Sequence, residues 1–138
     1  MIFIGIFCLS PTNPERPAIQ VIKEYAVLPL VTCYAGQLNQ VFMNILANAI
    51  DAVEELTCSK YCAISYPMIR IQTEAIAGES PKGDRVKISI ADNGSGMTEN
   101  VRSRIFDSFF TTKPMGKGTG MGLSISQQIV AEKHCGQL

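Results

Sequence analysis

Between residues 37 and 56 the apolar side chains fall at Leu38, Phe42, Ile45, Leu46, Ala49, Val53 and Leu56. Steps of three and four place them on one face of a long amphipathic helix. Elsewhere the period is two. AIQVIKEYA (18–26) reads as a strand, with Ile19, Val21 and Tyr25 among its β-formers. LPLVTCYAG (28–36) reads as a second short strand after a turn. MIRIQTEAI (68–76) and RVKISIAD (85–92) both alternate, with Val86, Ile88 and Ile90 on one side, and the turn GESPKGD (78–84) makes them a hairpin. A glycine turn at 93–97 leads to a short helix at 98–106, an irregular stretch at 107–120 and a second long helix at 121–134. The expected order is β-β-α-β-β-α-α. It implies an α+β fold, a two-layer sandwich in which about three helices cover one face of a mixed, mostly antiparallel sheet.

Composition narrows the class. A chain of 138 residues suits one domain, and 46% hydrophobic against 17% charged residues is a globular balance. Twelve basic and twelve acidic residues cancel, so the basic excess of a nucleic-acid binder is missing. The five cysteines, Cys8, Cys33, Cys58, Cys62 and Cys135, form no C-x-x-C pair, and their spacing suggests reduced thiols in a cytosolic setting. The apolar run MIFIGIFCL is nine residues long, where a spanning helix needs about 20. It is expected to be a buried strand or the edge of a fragment, and SPTNPERP (10–17), with three prolines, is expected to be a linker. No membrane contact by this domain is expected.

Chemistry concentrates in four places. FTTKPMGKGTGMGLS (110–124) carries glycines at 116, 118, 120 and 122. It fits neither the Walker A spacing nor the dinucleotide fingerprint. A helix begins just after these glycines, so its first free N–H groups face the loop and attract phosphate, and Lys113 and Lys117 add positive charge. On the long helix, Gln40, Asn44, Asn48, Asp51 and Glu55 form a polar stripe opposite the apolar one. Oxygen donors in such a line suit Mg²⁺, which takes one or two protein oxygens and draws the rest from phosphates and water. Asp92-Asn93-Gly94-Ser95-Gly96 follows a strand directly, where a carboxylate can accept a hydrogen bond from an exocyclic amine such as that of adenine. Phe106, Phe109 and Phe110 either fill a core or anchor a lid that moves over a ligand. His134, the only histidine, is expected to be a surface or half-buried bystander.

In this order the four elements resemble the ATP-binding catalytic domain of bacterial two-component sensor histidine kinases, part of a wider group with the gyrase-type ATPases and the Hsp90 chaperones. LNQVFMNILANAIDA looks like the family's N box, DNGSGM like its first glycine box, FDSFFTTK like its F box and GKGTGMGLS like its second glycine box. The resemblance implies the two-layer α/β sandwich known as the Bergerat fold. Residues 1–15 would be an N-terminal linker and 16–138 the ATP-binding domain, shortened at its C-terminal end. The family adds two more strands after a glycine pair, and here Cys135 replaces the first of those glycines.

The family's roles carry over by position, with ATP and Mg²⁺ as implied cofactors. Asn48 would ligate Mg²⁺, Asn44 would contact phosphate or the metal shell, and Asp51 would line the same pocket. Asp92 would hold the adenine amino group, with Gly94, Gly96 and Met97 beside the ring. Lys113 would sit in the lid. Gly118, Thr119, Gly120, Met121 and Gly122 would close over the phosphates, with Leu123 starting the helix behind them. Hydrolytic relatives carry a glutamate where this chain has Asn44, and an amide is a poor general base. The resemblance therefore implies a cytoplasmic kinase domain whose nucleophile is a histidine on a separate dimerisation domain and whose downstream partner is a response regulator. The alternatives are a non-catalytic nucleotide-binding module and, behind it, an ATPase or serine kinase of the same fold.

Overall fold

A computed structural model describes residues 18–57, 66–77, 84–114 and 116–138. The expected linker at 10–17, the apolar N-terminal run, most of the loop at 57–67 and most of the turn at 78–84 lie outside the described residues, as do Cys8, Cys58 and Cys62.

Strand β1 spans Gln20–Tyr25 and helix α1 spans Ala35–Thr57. Strands β2 (Met68–Ile76) and β3 (Arg85–Asp92) follow, then one helical turn, α2 (Glu99–Arg102), and helix α3 (Gly122–Gln128). The π-helical turns of Ile129–Lys133 continue α3. The sheet order is β1-β2-β3. β2 and β3 pair antiparallel from Ile69↔Asp92 to Ile76↔Arg85, which is the expected hairpin. β1 pairs parallel to β2, from Gln20↔Met68 to Tyr25↔Thr73. Among the described strands the sheet is therefore mixed, with one pairing of each sense.

The second strand expected at 28–36 does not form. Residues 26–34 have no regular structure, and Val27, Leu30 and Val31 lie 98%, 105% and 56% exposed. Strand preference is a preference for packing against strand neighbours. Among the described residues, neither β1 nor β3 takes this segment as a neighbour on its outer edge, so its β-forming side chains have no strand to pack against. Without that strand, β1, α1 and β2 form a βαβ unit, which is why β1 and β2 run parallel.

The remaining corrections concern helix limits. Helix α1 starts two residues before the expected position, and Tyr34 accepts the first backbone bonds from Gln37 and Leu38. The helix expected at 98–106 is a single turn. Thr98 Oγ1 caps it at Val101 N, and then Arg104 N bonds Val101 O and Asp107 N bonds Arg104 O in tighter three-residue turns. The helix expected at 121–134 is present but changes from α to π at Ile129.

The core lies where α1 meets the hairpin. Ala49, Val53 and Ile69 are buried, and Ile19, Leu46, Ile71 and Ile90 pack against them. The outer face of the sheet is polar by alternation. There Glu24 meets Arg70 and Gln72, and Lys87 meets Glu74. The outer sheet face is thus solvated, and α1, pressed between sheet and α3, is the element to which the functional segments attach.

Candidate functional site

The polar stripe of α1 is half-buried at Asn44 and Asn48 and exposed at Gln40, Asp51 and Glu55. Its members meet three different segments in sequence. Nearest the N-terminal end, Asn44 Nδ2 donates to Gly122 O at 3.0 Å and to Ser126 Oγ at 3.1 Å. Ser126 is fully buried, and its hydroxyl donates to Gly122 O at 2.7 Å. One turn on, Lys113 Nζ donates to Asn48 Oδ1 at 2.9 Å and forms an ion pair with Asp51 Oδ2 at 2.6 Å. Next, Ser95 N donates to Ala52 O at 3.3 Å, and Ser95 Oγ donates to Glu55 Oε2 at 3.3 Å. The 11 steps from Asn44 to Glu55 span about 17 Å of helix axis. Along that length α1 gathers the second glycine box, the F box and the first glycine box.

Each segment has a local reason for its shape. Asp92 ends β3, and its Oδ1 accepts from Gly94 N at 2.9 Å, which turns the chain back toward α1. Gly94 is required there: a Cβ would sit 2.6 Å from the Ala52 carbonyl carbon and 2.7 Å from its Cβ. Asn93, expected only as a turn residue, holds the end of the hairpin. Its Oδ1 accepts from Met68 N at 2.9 Å, and its Nδ2 donates to Tyr66 O at 2.8 Å. Gly96 has a φ of +68°, and Met97 is 60% exposed.

The two ends of the stretch expected to be a lid meet at Phe109 and Gly120. Phe109 N donates to Gly120 O at 2.9 Å, and a Cβ on Gly120, whose φ is +66°, would overlap the Phe109 backbone. Phe109 itself holds a φ of +68° with its side chain 73% exposed. A bulky residue in that region stores on the order of 1–3 kcal/mol, so the backbone is strained at Phe109. Phe106 and Phe110 are half-buried, and the Arg104 guanidinium lies 4.3 Å from the Phe110 ring centre. The three phenylalanines therefore divide: two pack inward, and the third points to solvent at the lid base. Gly118 lies against Thr111 and Lys113, and Thr119 Oγ1 accepts from Met121 N at 3.4 Å. Met121 is the N-cap of α3 and makes no side-chain cap bond, so the first N–H groups of α3 have no side-chain cap. Gly122 begins the helix beside Asn44, and Leu123 is half-buried behind it.

Sequence reasoning missed Ser126, Asn93 and the part played by His134. The spacing Gly122–Ser126, one helical turn, was the available signal for the first. His134 Nε2 accepts from Tyr34 N at 3.1 Å, which leaves Nδ1 as the protonated nitrogen facing Ile129 O at 3.1 Å. The half-buried ring thus clasps the start of α1 to the π-helical end of α3, more than the bystander role expected of it.

As for a metal, no group of three or more His, Cys, Asp or Glu side chains is placed to hold one among the described residues. The available donors are hard oxygens, Asn48 Oδ1 and the Asp51 carboxylate, already arranged around one positive charge. That set fits Mg²⁺ carried by a phosphate ligand, not zinc or another thiolate-seeking metal. Cys33 and Cys135 are free thiols. No described helix is long and apolar enough to cross a membrane. A hollow of about 480 Å³ on the sheet, lined by Glu24, Gln72, Lys87 and Ser89 among others, contains none of the box residues.

Comparison with known proteins agrees with this geometry. The chain is 40% identical over 99 residues to the two-component sensor PprA of Pseudomonas aeruginosa, covering 70% of this chain and 9% of that protein. It is 36% identical over 111 residues to sporulation kinase E of Bacillus subtilis, covering 80% and 13%. It is 33% identical over 120 residues to the sensory histidine kinase/phosphatase NtrB of Azospirillum brasilense, covering 83% and 28%. The chain thus spans well under a third of the length of each of these relatives. Residues 34–138 match the family described as histidine kinase-, DNA gyrase B- and HSP90-like ATPases. The match takes in α1, the hairpin, the lid and α3, and the chain belongs to that family.

Proposed function

We propose that this chain is the ATP-binding catalytic domain of a two-component sensor histidine kinase and works in the cytoplasm. The observation that carries this reading is the convergence on α1 of three segments far apart in sequence: Gly122 on Asn44, Lys113 on Asn48 and Asp51, and Ser95 on Ala52 and Glu55. Asp92 and Gly94 stand at the adenine end, with Gly96 and Met97 beside them. The lid from Gly118 to Gly122 and the start of α3 stand at the phosphate end. Asn48 and Asp51 would hold Mg²⁺, which would supply positive charge to offset that of the phosphates. The chain's own part is to hold and orient. Asp92 accepts from the adenine amine, Asn48 offers its carbonyl oxygen to the metal, and the backbone N–H groups of Gly120, Met121 and Gly122 receive phosphate oxygens. The γ-phosphoryl is then aimed at a histidine on a separate dimerisation domain and passes on to a response regulator. Asn44 spends both amide hydrogens on α3, so no base stands at the place a hydrolytic enzyme needs one.

The test is titration of the chain with a fluorescent ATP analogue with and without Mg²⁺, then phosphotransfer to a supplied histidine-containing dimerisation domain. Asp92→Asn and Asn48→Ala are each expected to weaken binding about 10- to 100-fold, the effect of losing a hydrogen bond to a charged or strongly polar partner. Undiminished affinity in either variant removes the role given to that residue. Tight binding without any transfer selects a non-catalytic nucleotide module.

A further inference from the structure

Lys113 places an ammonium between two oxygens of α1, at 2.9 Å from Asn48 Oδ1 and 2.6 Å from Asp51 Oδ2. Its side chain is 32% exposed, and that of Asp51 52%. An amide oxygen and a carboxylate around one positive charge is a cation site in its chemistry, filled by an internal cation. The same side chain also shapes the loop. Its Cβ and Cδ lie close enough to Gly118 that a Cβ there would come within 3.2 Å of each, and its backbone N donates to Thr111 Oγ1 at 3.1 Å. The side chain that links to α1 therefore lies directly against the glycine segment at Gly118.

We propose that Lys113 is an exchangeable internal cation, competing with the divalent metal for Asn48 and Asp51, so that metal arrival and lid movement are one event. The inference rests on the reading that this face of α1 takes a metal–nucleotide. Two cations cannot share one oxygen pair without strong repulsion at such distances. The displaced ammonium stays on a flexible four-carbon stem in a loop next to the phosphates, where anionic oxygens replace the partners it lost. Lysine suits this exchange better than arginine, because a compact point charge leaves one oxygen pair and finds another without a fixed fork geometry.

Mn²⁺ alone, followed by electron paramagnetic resonance on the 138-residue chain, reads the competition without nucleotide or turnover. Lys113→Gln is expected to bind Mn²⁺ about twofold to fivefold more tightly than the parent, the range set by loss of a partly exposed ion pair. Lys117→Gln removes the same charge from the same loop and is expected to match the parent. Amide hydrogen exchange across 111–120 is expected to quicken in Lys113→Gln, and in the parent on adding Mg²⁺ and ADP. Equal Mn²⁺ affinity in the parent and Lys113→Gln, an equal gain in Lys117→Gln, or no Mn²⁺ binding by any of the three overturns the exchange. A fluorescent ADP titration separates the two readings. If the parent binds the nucleotide with Mg²⁺ but the Mn²⁺ affinities do not differ, only the exchange falls. If the parent binds no nucleotide, the site assignment itself falls.

Discussion

Asn44→Glu, which installs the acidic residue of hydrolytic relatives, is expected to loosen the domain and not to create an ATPase. The Asn44 amide gives one hydrogen to Gly122 O and one to Ser126 Oγ, and Ser126 is fully buried. A carboxylate has no hydrogen to give. It would set negative charge against the Gly122 carbonyl, whose oxygen already accepts from Ser126. Loss of two part-buried hydrogen bonds together with an unpaired charge costs about 2–4 kcal/mol. Asn44→Ala, which removes the donors without adding charge, is expected to cost about 1–2 kcal/mol. Against a total stability of roughly 5–15 kcal/mol, the glutamate variant is visibly impaired. Urea unfolding followed by circular dichroism measures the loss, and a phosphate-release assay measures hydrolysis. An unchanged midpoint with steady phosphate release in Asn44→Glu would sink this account.

Gly94→Ala is expected to detach the first glycine box from α1. The added methyl would meet the carbonyl carbon, carbonyl oxygen and Cβ of Ala52, all within 2.7 Å. None of these is the end of a flexible side chain, so the loop or the helix must shift. Overpacking of this kind costs about 1–3 kcal/mol. The shift also stretches the Ser95 N to Ala52 O bond, which is already 3.3 Å, and moves Asp92 relative to Asn48. Nucleotide affinity is therefore expected to fall at least tenfold, by a loss of about 1.4 kcal/mol or more. Gly36→Ala is the contrast. It lies in the first turn of α1 with nothing within 4 Å of the added Cβ. It is expected to stabilise the chain by up to about 1 kcal/mol through helix propensity alone. Parallel melting curves and nucleotide titrations of the two variants decide the matter. Equal behaviour would mean that the approach to Ala52 is not constraining.

The regular elements whose pattern is set locally were legible. Alternation in 68–76 and 85–92 yields β2 and β3 at those limits, and the three-and-four spacing yields α1 within two residues at its N-terminal end and one at its C-terminal end. The polar stripe was legible as a line of donors but not as a joint between segments, because its partners lie 62 to 82 residues away for Asp51 and Asn44. The misplaced strand at 28–36 fails for a related reason. Its β-forming residues carry no information on whether the chain path brings them alongside a sheet edge. The π-helical end of α3 coincides with the His134 clasp to Tyr34 and Ile129, a pairing across 100 residues in its longer arm.

The family boxes, the α+β class and the residue types available for binding follow from local pattern, since periodicity and turn chemistry act over a few neighbours. That Asn44 is a strut to α3, that Lys113 rests on Asn48 and Asp51, and that Gly94 must be glycine because Ala52 lies behind it depend on the folded arrangement. Hydrogen bonds and steric overlap act over about 3 Å of space, whatever the separation along the chain.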